Sequence, residues 1–470
     1  MITILLTAHN EKEAAMLSVE SIRESVGDID ISVILVDNAS TDGLQDWAVV
    51  QTDISYVYMD QGLEPWGSVL AQVCREFQVD TDIVLMRSGI ELLPGALEKM
   101  AETLKTDEKI LAVGPLMPLT FNNTQWSPIY IKTPQDAVDY MSRKVDFCEN
   151  ISPNMVSQGV NIVGVQNRVL GLDCGFCLFK SDFLTQMGGF DDSIWSLYVL
   201  STMNALKIIK AGGYSVICED AVVWCMDRNL PESADTLSHN PEDLAYLEHC
   251  YGMHYFNISP NQRLVNLLDI SSRDIVRVLE IGCDCGATLN AIKKRYPNTY
   301  VCGCDLCESA ISVAEHFLDE AFTNNIEKED LPIEEGSLDY IIFGDVLEHL
   351  HDPAHTLRYV RRFLRAGGKV IASIPNLMHI SVIADLLCGN FTYTETGLLD
   401  KTHIHFFTFN EIIKIFPQCG YRLEVCQDYS PQGLTQKDEM LIDKLMELGQ
   451  GTERFMYTTF QYQVRAIKSE

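Results

Sequence analysis

The stretch Val278-Leu279-Glu280-Ile281-Gly282-Cys283-Asp284-Cys285-Gly286-Ala287-Thr288-Leu289, followed after a helix's worth of residues by Tyr300-Val301-Cys302-Gly303-Cys304-Asp305, decides how the second half of this chain folds. Residues 278–281 are an apolar run of strand length. Gly282 and Gly286 break it, and Leu289, Ile292 and Tyr296 recur at helical spacing. Residues 300–304 read as a second strand that ends at Asp305. The unit is strand, glycine-rich turn, helix, strand. In such a unit glycines let the backbone approach a ligand closely and the helix N-terminus faces it. An acid closing the second strand can bind a ribose diol. Gly-x-x-x-Gly by itself is a weak signal; the downstream motifs carry the weight.

After Asp305 a helix pattern covers 309–318. Leu331-Pro332 leads to Gly336-Ser337-x-Asp339, a strand at 340–343 and Asp345-Val346-Leu347-Glu348-His349. A helix pattern at 354–364 precedes a strand containing Ser373-Ile374-Pro375-Asn376. Strand-like segments at 421–427 and 455–467 close the chain, with an amphipathic helix pattern at 438–448 between them. This order resembles a class I S-adenosylmethionine-dependent methyltransferase, with a doubly wound Rossmann-like sheet, over essentially all of 263–470. The resemblance implies S-adenosylmethionine as cofactor. Glu280, Gly282 and Gly286 would border its methionine part. Asp305 would take both ribose hydroxyls, because a carboxylate accepts two donors at once. The loop around Asn325 would contact adenine, and Asp345 would sit beside the sulfonium. Asp284 stands where the commonest pattern has glycine.

Methyl transfer asks for an acceptor held in line with the activated methyl. A hydroxyl acceptor also needs a base or a metal. His349, His379, His403 and His405 are the candidates, with His349 or His403 favoured as base. Asp345, Glu348 and His349 stand at i, i+3 and i+4, on one face if the segment is helical. Some relatives of this class hold Mg²⁺ with a similar set, so a divalent metal stays open beside a plain helix-start hydrogen-bond network. The segment from Ser373 to Thr408 resembles methyltransferases fused or adjacent to glycosyltransferases in bacterial surface-polysaccharide synthesis. By resemblance, the acceptor would be a sugar or glycan.

The first half alternates strands at 2–8, 31–37, 55–59, 82–86 and 110–114 with helical patterns such as 11–25. Such alternation gives an α/β fold with a mostly parallel sheet and ligands at the strands' carboxyl ends. Thr7-Ala8-His9-Asn10-Glu11, the turn beginning Asp37-Asn38-Ala39-Ser40, and Gly188-Gly189-Phe190-Asp191-Asp192 together resemble a family 2 glycosyltransferase with the GT-A fold over 1–226. That family holds the nucleotide of a sugar donor on its first two turns, which implies Asn10, Asp37 and Asn38 here. Three departures stand out. Arg87-Ser88-Gly89 occupies the place of the metal-binding Asp-x-Asp, and Arg87 offers no oxygen to a cation. No Asp or Glu lies between Asp192 and Glu219, where the base belongs. Trp224-Cys225 stands where a histidine is usual. Either Arg87 neutralises a nucleotide sugar's diphosphate without metal, or this domain is degenerate and only positions an acceptor.

Residues 227–262 shift to a polar, proline-containing composition and read as a linker and lead-in segment, with a helix pattern at 244–250 and a possible cofactor lid at 251–260. The 470 residues are 47% hydrophobic, enough for packed cores, and carry a net charge of −31, which argues against a nucleic-acid partner. No apolar run is long enough for a transmembrane segment, and the apolar start reads as a first strand instead of a signal peptide. The 15 cysteines therefore read as reduced thiols in a cytoplasmic protein. Cys283, Cys285, Cys302, Cys304 and Cys307 match no structural zinc spacing and read as small packing residues. Three functions fit: methylation of a sugar or glycan with a degenerate first domain, a bifunctional glycosyltransferase and methyltransferase, or a silent glycan-binding scaffold.

Overall fold

The computed structural model describes residues 1–60, 62–117, 134–147, 168–225, 241–252, 260–394, 396–430, 433–449 and 451–469. They form two compact units, Met1–Pro260 and Asn261–Glu470.

The first unit contains strands β1 (Ile2–Ala8), β2 (Ile31–Asp37), β3 (Ser55–Tyr58), β4 (Asp82–Arg87), β5 (Ile90–Leu92), β6 (Ile110–Leu116), β7 (Arg168–Val169), β8 (Phe176–Phe179) and β9 (Tyr214–Cys225). The sheet order is β3-β2-β1-β4-β8-β6-β9-β5, with β7 on β9. Strands β3, β2, β1 and β4 run parallel, as the alternation predicts, and β6 pairs parallel with β9. Strand β8 enters antiparallel between β4 and β6, and β5 pairs antiparallel with β9. The sheet is therefore mixed. All seven residues of β1 are buried, because helices cover both faces of a central parallel strand. Helix Lys12–Ser25 contributes Ala15, Val19 and Ile22 to one of those layers.

The linker expectation needs correction. Helix Pro241–Tyr251 belongs to the first unit. Its Asp243 has no exposed surface and accepts the backbone N–H groups of Trp195 (3.0 Å) and Ser196 (2.8 Å). Those two residues open helix Leu197–Lys210, so Asp243 caps a helix 47 residues upstream. Burial raises its carboxyl above the usual range, and the two N–H donors pull it back. We expect Asp243→Ala to cost about 1–3 kcal/mol, the cost of orphaning buried donors. The adjacent Trp195 gives a fluorescence readout in denaturation; an unchanged midpoint would contradict the capping role. Residues 227–240 and 253–259 lie outside the described set.

The second unit contains β10 (Arg277–Ile281), β11 (Tyr300–Asp305), β12 (Glu320–Thr323), β13 (Leu338–Gly344), β14 (Leu364–Pro375), β15 (Tyr421–Tyr429) and β16 (Gln461–Lys468). Their order is β12-β11-β10-β13-β14-β16-β15. The first five run parallel; β16 is antiparallel to both neighbours. Side chains alternate across the sheet. Ile341 and Phe343 join Leu279, Val370 and Val464 on one face. Tyr340 and Ile342 join Val278, Val301, Leu289 and Ile292 on the other.

Three element expectations move. The helix expected at 354–364 is Pro353–Val360, because Leu364 already begins β14. The one expected at 309–318 is Glu308–Ala314. The strand expected at 455–467 is a short helix, Arg454–Thr458, followed by β16. The buried Asn376 explains this last break. Its Nδ2 donates to Met456 O (2.8 Å) and Thr459 O (2.7 Å), fastening the turn between helix and strand. Parallel register aligns Ile281 with Cys304 and with Phe343, and Phe343 with Ala372. The carboxyl ends of β10, β11, β13 and β14 therefore share one edge.

Candidate active site

At that edge β10 ends in a turn that needs left-handed backbone three times, at Gly282 (φ 72°), Asp284 (φ 48°) and Gly286 (φ 81°). The N–H groups of Gly282 and Cys283 both donate to Cys304 O, at 2.8 and 3.1 Å, which ties the turn to β11. Asp305 ties it again: Oδ2 accepts the N–H of Asp284 and Oδ1 that of Cys307, each at 2.9 Å. Each oxygen keeps acceptor capacity for a further donor. A β-carbon built on Gly282 would lie 2.5 Å from Val346 Cγ2. Gly282→Ala should therefore cost roughly 1–3 kcal/mol in strain and push on the segment carrying Asp345. A thermal melt without cofactor checks this, and an unshifted melt contradicts it.

Glu280 is buried, and its Oε2 has no hydrogen-bond partner. Burial, with the charges of Asp284 and Asp305, pushes this carboxyl well above the usual range. Asn325, expected at an adenine, uses its Oδ1 on Glu327 N–H (3.2 Å). Its neighbour Asn324 is the buried one: its N–H donates to Asp305 O (3.0 Å), and its Oδ1 is unpartnered. Asn324 lies in the loop around Asn325, the loop expected at adenine.

Asp345 follows β13 with left-handed backbone, φ 57°. Its N–H donates to Ser373 Oγ (3.0 Å), and its Oδ1 accepts from Gln461 Nε2. The residue opens to solvent, but protein crowds its carboxyl. That crowding raises it above the usual range, while Ser373, Arg263 and His349 pull it down. Arg263 and Gln461 come from distant parts of the chain, and no spacing pointed to them.

The helical face expected for Asp345, Glu348 and His349 does not form. Leu347–His349 is a single 3₁₀ turn and Asp345 lies before it. Glu348 and His349 meet His403 instead. The Glu348 backbone carbonyl accepts the N–H groups of Ile404 (3.0 Å) and His405 (2.9 Å), which lays that segment across the turn. One ligand atom from each of Glu348, His349 and His403 falls within 4.8 Å of the others. Glu348 is 1% exposed and its Oε2 is unpartnered. Burial, then the charge of Asp345, pushes it well above the usual range. His403 Nδ1 lies 3.2 Å from Leu398 O, so that nitrogen carries the proton and Nε2 is the acceptor. Burial, then the nearby His349, lowers its basicity. His379 caps helix Ile380–Leu387, and His405 Nε2 meets His351 O at 3.0 Å, so neither joins the cluster. Among the described residues the cysteines form no metal-ligating group.

In the first unit Asp37 and Asn38 have no exposed surface. Asp37 accepts Ser40 N–H (2.8 Å) and Tyr56 OH (2.7 Å). Asn38 exchanges bonds with Glu64 O (2.8 Å) and N–H (3.1 Å). Both side chains hold turns at the carboxyl end of β2. Asn10 is exposed, and its Oδ1 accepts Thr41 N–H (2.7 Å). Arg87 closes β4 with a buried, unpartnered Nε. The next residue, Ser88, is buried and donates to Glu11 Oε2.

Residues 279–370 match the family model described as a methyltransferase domain, and residues 3–154 match glycosyl transferase family 2. The chain joins these two domains. It is similar to an uncharacterized 37.1 kDa protein in transposon TN4556 of Streptomyces fradiae, 24% identical over 218 residues, covering 46% of this chain and 61% of that protein. It is also similar to a ubiquinone biosynthesis O-methyltransferase of Albidiferax ferrireducens, 30% identical over 106 residues, covering 21% of this chain and 41% of that protein. The chain thus spans less than two thirds of the curated relatives it matches. A crystal structure of an S-adenosylmethionine-dependent methyltransferase from Mesorhizobium loti is 17% identical, covering 42% of this chain and 94% of that one, with a TM-score of 0.30.

The methyltransferase domain's residues fit S-adenosylmethionine. That cofactor brings cationic groups, and the buried carboxylate of Glu280 lacks a partner. It also brings a ribose diol, and both Asp305 oxygens retain acceptor capacity. Glu348, His349 and His403 could also hold a metal ion. Two ligands of one zinc ion stand up to about 4.2 Å apart, twice a Zn–N bond, and two of one calcium ion up to about 5 Å, so ligand atoms within 4.8 Å of one another suit either an ion or a shared acceptor oxygen.

Proposed function

We propose that the methyltransferase domain transfers the methyl group of S-adenosylmethionine to a hydroxyl of a sugar or glycan in polysaccharide synthesis, in the cytoplasm. The observation that carries the reading is the cluster of Glu348, His349 and His403 at the same strand edge as Glu280 and Asp305. Glu280, Gly282 and Gly286 border the methionine part, Asp305 holds the ribose, Asn324 and Asn325 lie toward adenine, and Asp345 sits beside the reacting centre. S-adenosylmethionine supplies a methyl carbon on a sulfonium, and the leaving group is a neutral thioether. His403 Nε2 takes the acceptor hydroxyl's proton as the oxygen attacks. Its lowered basicity keeps the imidazole neutral and ready at neutral pH. Glu348, whose carboxyl burial holds well above the usual range, lies beside it in the cluster.

The glycosyltransferase-like domain positions the acceptor and transfers no sugar. Arg87 offers no oxygen to a diphosphate-bound cation, and Asp243, the carboxylate brought to the start of helix Leu197–Lys210, has no exposed surface and caps that helix. The test supplies the full chain with methyl-labelled S-adenosylmethionine and surface glycans from a methylation-deficient strain. Label should enter the glycan, and sugar nucleotides should persist. Transfer should survive chelation with EDTA. Loss on chelation with rescue by a divalent cation would assign the cluster to a metal instead. Consumption of a sugar nucleotide would overturn the passive role of the first domain.

A further inference from the structure

A ladder of aromatic rings leads outward from the two clustered histidines. His349 and His403 pack edge to face with centroids 4.8 Å apart. His403 meets Phe406 at 6.3 Å, Phe406 meets Phe391 at 5.9 Å, and Phe391 meets Tyr393 at 5.5 Å. Exposure rises along the ladder, from 8% at His403 to 40% at Phe391 and 52% at Tyr393. The last two rings stand at 88°, forming an open corner with two aromatic walls. The loop that follows them is closed by Thr394 N–H on Leu399 O (2.9 Å) and Lys401 N–H on Thr394 O (3.0 Å). Its rim carries exposed Thr392, Thr394, Thr396 and Thr402.

We propose that this ladder is the acceptor track of the methyltransferase domain, and that its occupant is a glycan of more than one residue. The outer sugars pack on Phe391 and Tyr393 while an inner sugar presents its hydroxyl at His403. The proposal rests on the sugar-acceptor reading above and deepens it by naming the positioning residues. The C–H face of a sugar ring is apolar and matches an aromatic face, and its edge of hydroxyls matches threonines that can donate and accept. Three ring-to-ring contacts link Tyr393 to His403, so the track offers more than one stacking face. A bilayer is the competing occupant. Inserting this loop would strip water from its threonines, Asp400 and Lys401, and a net charge of −31 is repelled by anionic headgroups.

The experiment compares the full-length chain with Phe391→Ala/Tyr393→Ala and with Phe391→Trp. Each is applied to an array of defined bacterial surface oligosaccharides, and S-adenosylmethionine affinity is measured in parallel by calorimetry. The wild type should bind a subset of the array, and the double variant should lose at least tenfold in affinity. Phe391→Trp, which keeps a stacking face, should retain binding. All three should bind the cofactor equally, since these rings lie on the acceptor side. With a bound oligosaccharide as substrate, KM should rise in the double variant and kcat should hold. Equal glycan binding by wild type and double variant, or none by wild type while the cofactor binds, overturns the track. So does co-sedimentation of the wild type alone with phosphatidylglycerol vesicles when glycan binding is unaffected. No cofactor binding by the wild type would instead overturn the underlying methyltransferase reading.

Discussion

Asp305→Ala should lower the affinity for S-adenosylmethionine by roughly 30- to 150-fold, about 2–3 kcal/mol. A carboxylate that takes two ribose hydroxyls makes two charge-assisted bonds, and alanine removes both. Here the residue also accepts the N–H groups of Asp284 and Cys307. The substitution therefore loosens the very turn that must receive the cofactor, and the loss should fall at the upper end of that range. Asp305→Asn keeps one acceptor oxygen and should fall between wild type and alanine. Calorimetry on the three proteins gives the answer directly. Affinities that agree within a factor of two would remove Asp305 from the cofactor site and leave the β10–β11 turn a purely structural feature.

The second large effect concerns the acceptor side. His403→Ala should reduce methyl transfer by roughly 10²- to 10⁴-fold, the range of a lost general base, with cofactor affinity unchanged. Glu348→Gln should also slow transfer, and it carries a distinct pH signature. The Glu348 carboxyl is raised in the folded protein above its ordinary 4.5. A raised acid contributes stability that is fully present below that ordinary value and is lost as pH rises through the folded value. Glutamine does not titrate. Glu348→Gln should therefore melt higher than wild type at neutral pH, and the difference should vanish as pH falls below about 4.5. His403 runs the other way. Its folded value is lowered below 6.5, so its contribution is complete above 6.5 and is lost as pH falls through the folded value. Melting curves from pH 4 to 8 separate the two. A Glu348→Gln variant less stable than wild type at pH 7 would mean that the carboxylate is satisfied in the fold, contrary to its orphaned Oε2.

What could be read from the residues alone was governed by neighbours along the chain. Runs such as 278–281 and 2–8 are apolar throughout because parallel strands are buried on both faces, and glycines at 282 and 286 mark left-handed backbone. Those signals are local, so both sheets, the β10–β11 turn and Asp305 at its end were all legible.

The rest depended on which distant groups the fold brings together. Glu348 and His349 show no helical face because the chain turns once, as 3₁₀, and stops; their partner His403 arrives only when two N–H groups dock on the Glu348 carbonyl. Asp243 reaches the start of helix Leu197–Lys210 from a segment whose polar composition reads as linker. Asp37 and Asn38, prominent in sequence as ligand-facing turn residues, also take internal bonds from Tyr56 and with Glu64, which only the fold brings beside them. Hydrogen bonds and burial energies act over a few ångströms in space, and sequence distance says nothing about which groups come that close. The amino-acid order set the elements and the glycine turn tied to Asp305; tertiary contact brought Glu348, His349, His403 and the aromatic ladder together.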